Sequence, residues 1–160
     1  MKIKIKLLSH NAKVPTKGTD GAAGYDLYSA NDSIVYPGRN LIATGVAIAL
    51  EPGTHAHIRP RSGFSLKGFE GVSISASEKG YLDFTERFDA DVIQGTIDQD
   101  FRGGIGVIVN SHESKPFILK RGTRIAQMVI IKHETADFEI TEELNETARG
   151  AGGFNSTGTH

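Results

Sequence analysis

The 160-residue chain has no cysteine and no tryptophan, and it also lacks any long apolar run. The absence of cysteine excludes disulfides, thiolate nucleophiles and sulfur-based zinc sites, and it is typical of a reducing compartment. A membrane helix needs roughly 20 consecutive apolar residues, and the chain has no such run. A signal peptide needs a continuous apolar core, but residues 2–7 alternate lysine with apolar residues. We therefore expect a soluble, intracellular protein, without distinguishing cytoplasm from nucleus.

The chain also lacks an excess of charge of either sign. Lysine and arginine number 18 against 19 aspartates and glutamates, which gives a net charge of −1. Because a surface that holds a polyanion must be basic, extended nucleic-acid binding is not expected. Small charged ligands remain compatible with this balance, although the common signatures of phosphate loops, dinucleotide folds and zinc proteases are missing.

Glycine, with 19 residues, is abundant and indicates many turns. A chain of this length predicts one compact domain that buries about 69% of its unfolded surface. Short β-branched segments between turn residues predict strands at 2–7, 33–36, 41–50, 55–59, 104–110, 116–119, 123–132 and 137–141. This spacing favours an all-β sandwich or barrel. Helix is expected only at 141–148, with Thr141 as N-cap and Leu144 facing inward, and in a short turn from Ser62.

Two segments combine groups that suit a phosphorylated ring. Arg61, Ser62 and Gly63 place a guanidinium and a hydroxyl beside accessible backbone N–H groups, which together favour an anion; the alternative is a turn with solvated arginines. Residues 95–104 have the composition of a hairpin with acids and an aromatic side chain at its tip. Such a hairpin reads a flat ring with backbone groups and presents a carboxylate beside it; the alternative is a plain β-turn.

Gln127 and the C-terminal residues are further candidates. Alternation along 123–132 places Gln127 on the same face as Ile125, where a buried amide must find a structural partner or a ligand. Residues 149–160 carry Arg149 and Phe154 on a glycine-rich string, which suits a lid that clamps an anion and covers a base. The alternative is a frayed terminus.

His55 and His57 lie two residues apart on a predicted strand and could face the same side as metal ligands. No third imidazole or carboxylate follows at a useful spacing. Ordinary surface histidines are therefore the favoured interpretation.

In order along nearly the whole chain, these segments resemble the five motifs of the trimeric dUTPase family. The matching residues are Ala22-Ala23-Gly24-Tyr25-Asp26-Leu27, Arg61-Ser62-Gly63, Gly95-Thr96-Ile97-Asp98, Gly122-x-Arg124-x-Ala126-Gln127 and Arg149-Gly150-x-Gly152-Gly153-Phe154-x-Ser156-Thr157-Gly158. The resemblance implies an all-β, jelly-roll-like β-clip barrel with one or two short helical turns and a flexible C-terminal arm. It also implies a homotrimer with three shared active sites that hydrolyses dUTP to dUMP and pyrophosphate with Mg²⁺, limiting uracil incorporation into DNA and supplying dUMP for thymidylate synthesis.

The resemblance further implies a role for each matched residue. Asp98 activates the water that attacks the α-phosphate, and Asp26 reaches Mg²⁺ indirectly, through water; a turn-stabilising aspartate is the alternative for Asp26. Arg149 closes on the far phosphate and Phe154 stacks on uracil. The implied substrate-binding residues are Arg61, Ser62, Gly63, Gly95, Thr96, Ile97, Phe101, Gly106, Gln127, Arg149, Phe154, Ser156 and Thr157.

Three residues depart from the family pattern. Val92 stands where some relatives use asparagine to contact uracil, which leaves the backbone groups to recognise the base. Phe101 stands where tyrosine is usual, but it keeps the ring that discriminates against UTP. Asn155 replaces a customary glycine, and asparagine tolerates left-handed backbone conformations well, so closure of the arm should survive.

The implied organisation is a β-core at residues 1–148 followed by a C-terminal active-site arm at 149–160 that reaches a neighbouring subunit. Residues 64–94 are about a dozen longer than the resemblance leads us to expect and so contain an insertion. A surface loop is the favoured interpretation. The alternative is a partner-binding device, which the aromatic residues of this stretch suggest: Phe69, Tyr81, Phe84 and Phe88.

Two other functions are alternatives to dUTP hydrolysis. A dCTP deaminase shares the implied fold, but the glutamate that this family places after the hairpin has no match in residues 104–110. The other is a nucleotide-sensing or partner-binding trimer, which would have little need for Asp98, Arg149 and Phe154 together.

Overall fold

The computed structural model describes residues 1–75 and 85–153, and these residues form fourteen strands and one short helix. In chain order the elements are β1 Lys4–Leu7, β2 Thr16–Lys17, β3 Gly24–Tyr28, β4 Ser33–Val35, β5 Gly38–Ala43, β6 Val46–Ala49, β7 Thr54–Arg59, α1 Ser62–Lys67, β8 Phe69–Ser73, β9 Glu86–Phe88, β10 Ala90–Ile93, β11 Gly95–Ile97, β12 Gly106–Ser111, β13 Phe117–Leu119 and β14 Arg124–Lys132.

The strands pair antiparallel in four sheets around one apolar core. The largest sheet has the order β11-β7-β14-β3-β2, and the others are β4-β13-β8-β9, β10-β12-β5 and β1-β6. The predicted all-β architecture with one short helical turn from Ser62 is confirmed, and the arrangement is compatible with a jelly roll.

Period-two alternation explains which faces are buried. In β7 the side chains of Thr54, Ala56 and Ile58 point into the core, while the residues between them are half-buried. In β12, Val107 and Val109 are both fully buried and the intervening Ile108 is exposed. In these two strands the pattern thus turns one face towards the core and leaves the other more accessible.

The predicted strand at 41–50 is two strands in two different sheets. β5 and β6 are separated by Gly45, whose φ of +70° favours glycine. A side chain at Gly45 would also collide with Ala12 and Ala30. The continuous strand was therefore wrong, because one glycine turns the chain from one sheet into the next.

The elements predicted at 137–141 and 141–148 are absent, since residues 133–147 contain neither helix nor strand. Phe138 and Ile140 are 96% and 100% exposed. Leu144 is 85% exposed and does not face inward. These predictions were wrong for the isolated chain because no strand or core lies beside this segment.

The described ends of the 64–94 region belong to the chain's own sheets, whereas residues 76–84 lie outside the described residues, so the surface-loop interpretation of the insertion stays a prediction. β8 pairs with both β13 and β9, which places its residues inside a sheet. Phe69 is fully buried and stacks on Phe64, and the half-buried Phe88 stacks on Phe117. Two of the four aromatic residues that suggested a partner surface are thus engaged in the chain's own packing, while Tyr81 and Phe84 lie outside the described residues.

Candidate functional site

Asp26 in β3 is the centre of an ionic cluster on the outer face of the largest sheet. Its carboxylate side chain is only 11% exposed, and it accepts a hydrogen bond from Arg61 Nε at 2.8 Å and a longer contact from Arg124 Nη1 at 3.4 Å. The residue lies inside a strand and contacts no turn backbone there, so the turn-stabilising interpretation was wrong. The cluster joins the first, second and fourth motifs in one place.

Gln127 in β14 links the same three motifs through the backbone. In the sheet it lies opposite both Asp26 and Arg59. Its Nε2 donates to the carbonyl oxygen of Pro60 at 2.9 Å, and its Oε1 occupies the space that a side chain at Gly24 would need. Gly24 therefore makes room for an amide that holds the chain just before Arg61.

The expected placement of Gln127 beside Ile125 was wrong. A register shift between Arg124 and Ala126 interrupts alternation in β14, so that Ile125 and Ala126 are both fully buried. Such a bulge re-aims every following side chain. Gln127 consequently shares the outer face of the sheet instead of the apolar side.

A cationic cleft of about 480 Å³ opens next to this cluster. Arg61, Gly63 and Arg124 line it from the motifs, as expected for a phosphate site. Sequence reasoning missed two further cations in its wall, Lys67 at the end of α1 and Arg87 in β9. The sequence offered a signal for Lys67, which follows Arg61 by six residues at the basic end of the short helix. It offered none for Arg87, which reaches the cleft only because β9 pairs with β8.

Arg87 is already paired within the wall of the cleft. Its guanidinium donates to Glu70 Oε1 at 2.6 Å and to the carbonyl oxygen of Gly68 at 3.2 Å. This pairing neutralises the carboxylate that would otherwise repel an anion. The positive charge of Lys67 is not neutralised in this way, because Lys67 forms no ion pair within residues 1–75 and 85–153.

Asp32 fixes the turn that leads into the fourth motif. Its Oδ1 accepts the backbone N–H of Arg121 at 2.7 Å, and its Oδ2 accepts Lys120 Nζ at 3.0 Å. The N–H of Arg121 is the main cause that lowers the pKa of Asp32 from its ordinary value of 3.8, and the Lys120 contact adds to it. The turn precedes Gly122, whose φ is +80°.

We expect Asp32→Asn to lower the melting temperature at pH 7 by no more than about 2–4 °C, because the pair is half-exposed and worth less than about 1 kcal/mol. A carboxyl whose pKa is lowered by folding stabilises above its unfolded pKa and loses that effect as pH falls through the folded value. The difference from wild type should therefore shrink as pH falls below 3.8 and disappear below the lowered pKa of the folded state. Melting curves at pH 7 and at acidic pH check this; a difference that grew on acidification would contradict it.

The third motif borders a second, mainly apolar cleft of about 570 Å³. Gly95, Thr96 and Ile97 of β11 line one side, and Gly104 and Gly106 line another. Glycine at these positions leaves backbone groups accessible beside an apolar wall. A cleft of this size and character is typical of a site for a flat small molecule.

The predicted hairpin at 95–104 is a wide connection between two antiparallel strands. β10 and β12 pair directly, but β11 leaves that pair and joins β7 in the largest sheet. The tip closes through the N–H of Phe101, which donates to the carbonyl oxygen of Asp98 at 3.2 Å. Asp98 is exposed at this tip, and the ring of Phe101 lies against Gly103.

The fifth motif is only partly described. Arg149 is exposed, and its Nε donates to the carbonyl oxygen of Gly152 at 2.8 Å. Phe154, Ser156 and Thr157 lie outside the described residues, so their expected roles remain predictions.

One chain does not bring the two clefts together. They share no lining residue. β11 beside the apolar cleft is separated from β3, which carries Asp26, by β7 and β14, a distance of roughly 14 Å at ordinary strand spacing. Asp98 lines neither cleft.

The described residues contain no cluster of three histidine, aspartate or glutamate side chains suited to hold a metal ion. Over the same ranges no helix combines the length and apolar character required to cross a bilayer.

Comparisons with known proteins agree with the motif order. A family model described as dUTPase matches residues 10–85 and 88–158. A deoxyuridine 5'-triphosphate nucleotidohydrolase from Nautilia profundicola is 42% identical over 159 residues, which are 99% of this chain and 99% of that protein.

Solved structures agree as well. A mutant dUTPase of Staphylococcus bacteriophage 80alpha with dUpNHpp superposes with a TM-score of 0.80 at 26% identity, covering 98% of each chain. A mutant dUTPase from phage phi11 of S. aureus, described with a structural Mg(II) ion, gives a TM-score of 0.72 at 21% identity over 89% of this chain and 98% of that one. With five motifs in order, a matching fold and full-length relatives, the chain belongs to the dUTPase family.

Proposed function

We propose that this chain hydrolyses dUTP to dUMP and pyrophosphate by in-line attack of water on the α-phosphate. One observation carries the proposal: this dUTPase-family chain has an apolar cleft bordered by glycine backbone and a separate cleft lined by arginines. A deoxynucleoside triphosphate combines the two chemistries that these clefts suit.

The apolar cleft holds deoxyuridine. Backbone groups of Gly95 and Gly106 mimic base pairing with uracil, because a rigid strand edge offers fixed donors and acceptors. Cytosine presents a donor where uracil presents an acceptor and leaves a buried polar group unpaired, which costs about 1–3 kcal/mol. Phe101 supplies the ring beside the sugar.

The cationic cleft holds the phosphates. Arg61 and Gly63 line this cleft, and Ser62 and Gln127 are assigned to the phosphates by their places in the second and fourth motifs. Charge-assisted hydrogen bonds from arginine are the strongest contacts available for phosphate oxygens. Arg149 adds a further guanidinium from the arm.

Asp98 takes a proton from the attacking water. As the water oxygen forms a bond to the α-phosphorus, the bond from that phosphorus to the bridging oxygen of the β-phosphate breaks, and pyrophosphate leaves with the electron pair. A carboxylate within reach of the water is suited to this general-base role. Its exposed position at the tip of the 95–104 connection leaves it accessible to a nucleotide held partly by another chain.

Mg²⁺ fits this donor set as an ion carried by the substrate. Asp26 already accepts two arginines, so its carboxylate is suited to an outer contact through water and not to direct ligation. Mg²⁺ prefers phosphate oxygens and retained waters to a cage of protein side chains. When bound, the ion neutralises charge on the triphosphate.

The active form is a homotrimer whose C-terminal arm reaches a neighbouring subunit. Apolar side chains are exposed at several places of the described chain, and clustered exposure marks surfaces that another chain covers. Two of these places are relevant to assembly. One is the β1 edge, where Ile5, Leu7 and Leu8 are 38–48% exposed; the other is the segment before the arm, with Phe138 and Ile140. The alternation at 137–141 that failed as an internal strand is available for pairing with another subunit.

Pyrophosphate release from dUTP, dCTP, dTTP and UTP, each measured with Mg²⁺ and with EDTA, tests the proposal. We expect hydrolysis of dUTP at a rate at least about tenfold above that of dCTP, in line with one unpaired polar group, and loss of activity in EDTA. Light scattering should give the mass of three chains. Equal hydrolysis of all four nucleotides, or deamination of dCTP, would exclude the proposed activity.

A further inference from the structure

Three histidines on the outer face of the largest sheet form a continuous row of imidazoles. His55 and His57 are in β7, and His133 directly follows β14. His55 Nδ1 lies 3.2 Å from His133 Nδ1, and His55 Nε2 lies 3.1 Å from His57 Nε2. The third imidazole that the sequence spacing did not provide therefore comes from the neighbouring strand.

The row allows an arrangement of protons that leaves one nitrogen of its central ring free. When His55 donates from Nδ1 to the Nδ1 of His133, its Nε2 carries a free lone pair. His57 Nε2 lies 3.1 Å away, so both Nε2 atoms can contact one ion beside the line that joins them when the proton of His57 is on its Nδ1. A donor on the far nitrogen is the arrangement that orients metal-ligating histidines and raises their basicity.

We propose that His55 and His57 chelate one divalent transition-metal ion, of the Zn²⁺ or Ni²⁺ type, through their Nε2 atoms. Two nitrogens 3.1 Å apart accommodate an ion at Zn–N distances of about 2.0–2.1 Å with an N–metal–N angle of roughly 100°. His133 is a positioning residue, because it engages the opposite nitrogen of His55. The remaining coordination positions take water.

The ligand type separates this site from Mg²⁺. Imidazole nitrogen suits zinc, nickel and copper, whereas magnesium selects oxygen. None of the three histidines lines the apolar or the cationic cleft. The histidine row therefore lies outside both clefts, although His57 is paired with Thr96 of β11.

Metal binding at this site leaves one buried N–H group without a hydrogen-bond partner in the described part of the chain, which lowers the affinity. Once Nε2 of His57 ligates the ion, its proton must stand on Nδ1, which is buried without a hydrogen-bond partner among the described residues. Two ligands and one unsatisfied N–H give weaker binding than a closed structural zinc site with four protein ligands.

Calorimetric titration of the EDTA-treated, full-length protein with Zn²⁺ and with Ni²⁺, without nucleotide, tests the site. We expect one ion per chain, unaffected by excess Mg²⁺. His57→Gln and His55→Gln should each abolish saturable binding, and His133→Gln should weaken it by about 10–100-fold, the usual effect of removing an orienting partner. His10→Gln, at an exposed histidine elsewhere, is the matched control and should bind as wild type does.

Long-range ¹H–¹⁵N NMR of the wild-type histidines gives a second measurement that needs no variant. Addition of Zn²⁺ should shift the Nε2 resonances of His55 and His57 and preserve a protonated Nδ1 on His55. The proposal would be overturned by the absence of saturable binding, by unchanged affinity in His57→Gln, or by an equal loss in His10→Gln. Any of these results would leave a hydrogen-bonded imidazole row and no metal site.

Discussion

Asp98→Asn should lower kcat for dUTP by about 10²–10⁴-fold, the usual contribution of a positioned general base. The amide keeps the shape of the side chain but cannot accept the proton of the attacking water. Because Asp98 is exposed and forms no ion pair within residues 1–75 and 85–153, its replacement should not alter folding. Steady-state pyrophosphate release, together with calorimetric binding of a non-hydrolysable dUTP analogue, measures the two effects separately.

Asp100→Asn is the matched control for this variant. Asp100 lies two residues further along the same tip and is equally exposed, so it tests whether a change of charge alone slows the reaction. We expect its kcat to stay within about threefold of wild type, the size of a small electrostatic perturbation. Near-normal turnover of Asp98→Asn, or an equal loss in both variants, would remove Asp98 from the reaction.

Truncation after Ala148, which removes residues 149–160, is expected to lower kcat/KM for dUTP by about 10²–10⁴-fold. In the proposed site the arm supplies one arginine to phosphate, worth about 1.5–3 kcal/mol, and one aromatic ring to the base, worth about 1–3 kcal/mol. Arg149 and Gly150 are exposed, so the melting temperature and the mass of the assembly should not change. Enzyme kinetics and light scattering check both expectations.

Arg149→Lys refines this test. Lysine keeps the charge and loses the planar fork that binds two phosphate oxygens at once. An activity between those of the wild type and the truncated chain would assign part of the arm's effect to that geometry. Full activity of the truncated chain would show that the arm takes no part in hydrolysis.

Where apolar and polar residues alternate strictly along a strand, the sequence predicts which side chains share the outer face of the largest sheet. Residues 55–59 are such a case, and β7 carries its side chains as expected. β3 was not predicted, because glycine and aspartate are poor strand formers. Tertiary pairing with β14 and β2 overrides that preference, and it places Asp26 beside Gln127.

Other features depended on contacts between residues far apart in the chain. Arg87 reaches the cationic cleft because β9 pairs with β8, and His133 reaches His55 because β14 pairs with β7. The bulge in β14 changed the face on which Gln127 lies. Local patterns carry none of these pairings, so motif spacing identified candidate residues without identifying all of their neighbours.

We propose that one active site takes Asp98 from one subunit and the arm from another. Chains carrying Asp98→Asn and chains truncated after Ala148 should therefore be co-assembled in equal amounts, and pyrophosphate release from dUTP compared with that of each parent. Random mixed trimers should recover about one quarter of the wild-type sites, because a site needs one intact residue from each of two different chains. Recovery no greater than the activity of the inactive parents would contradict a shared site.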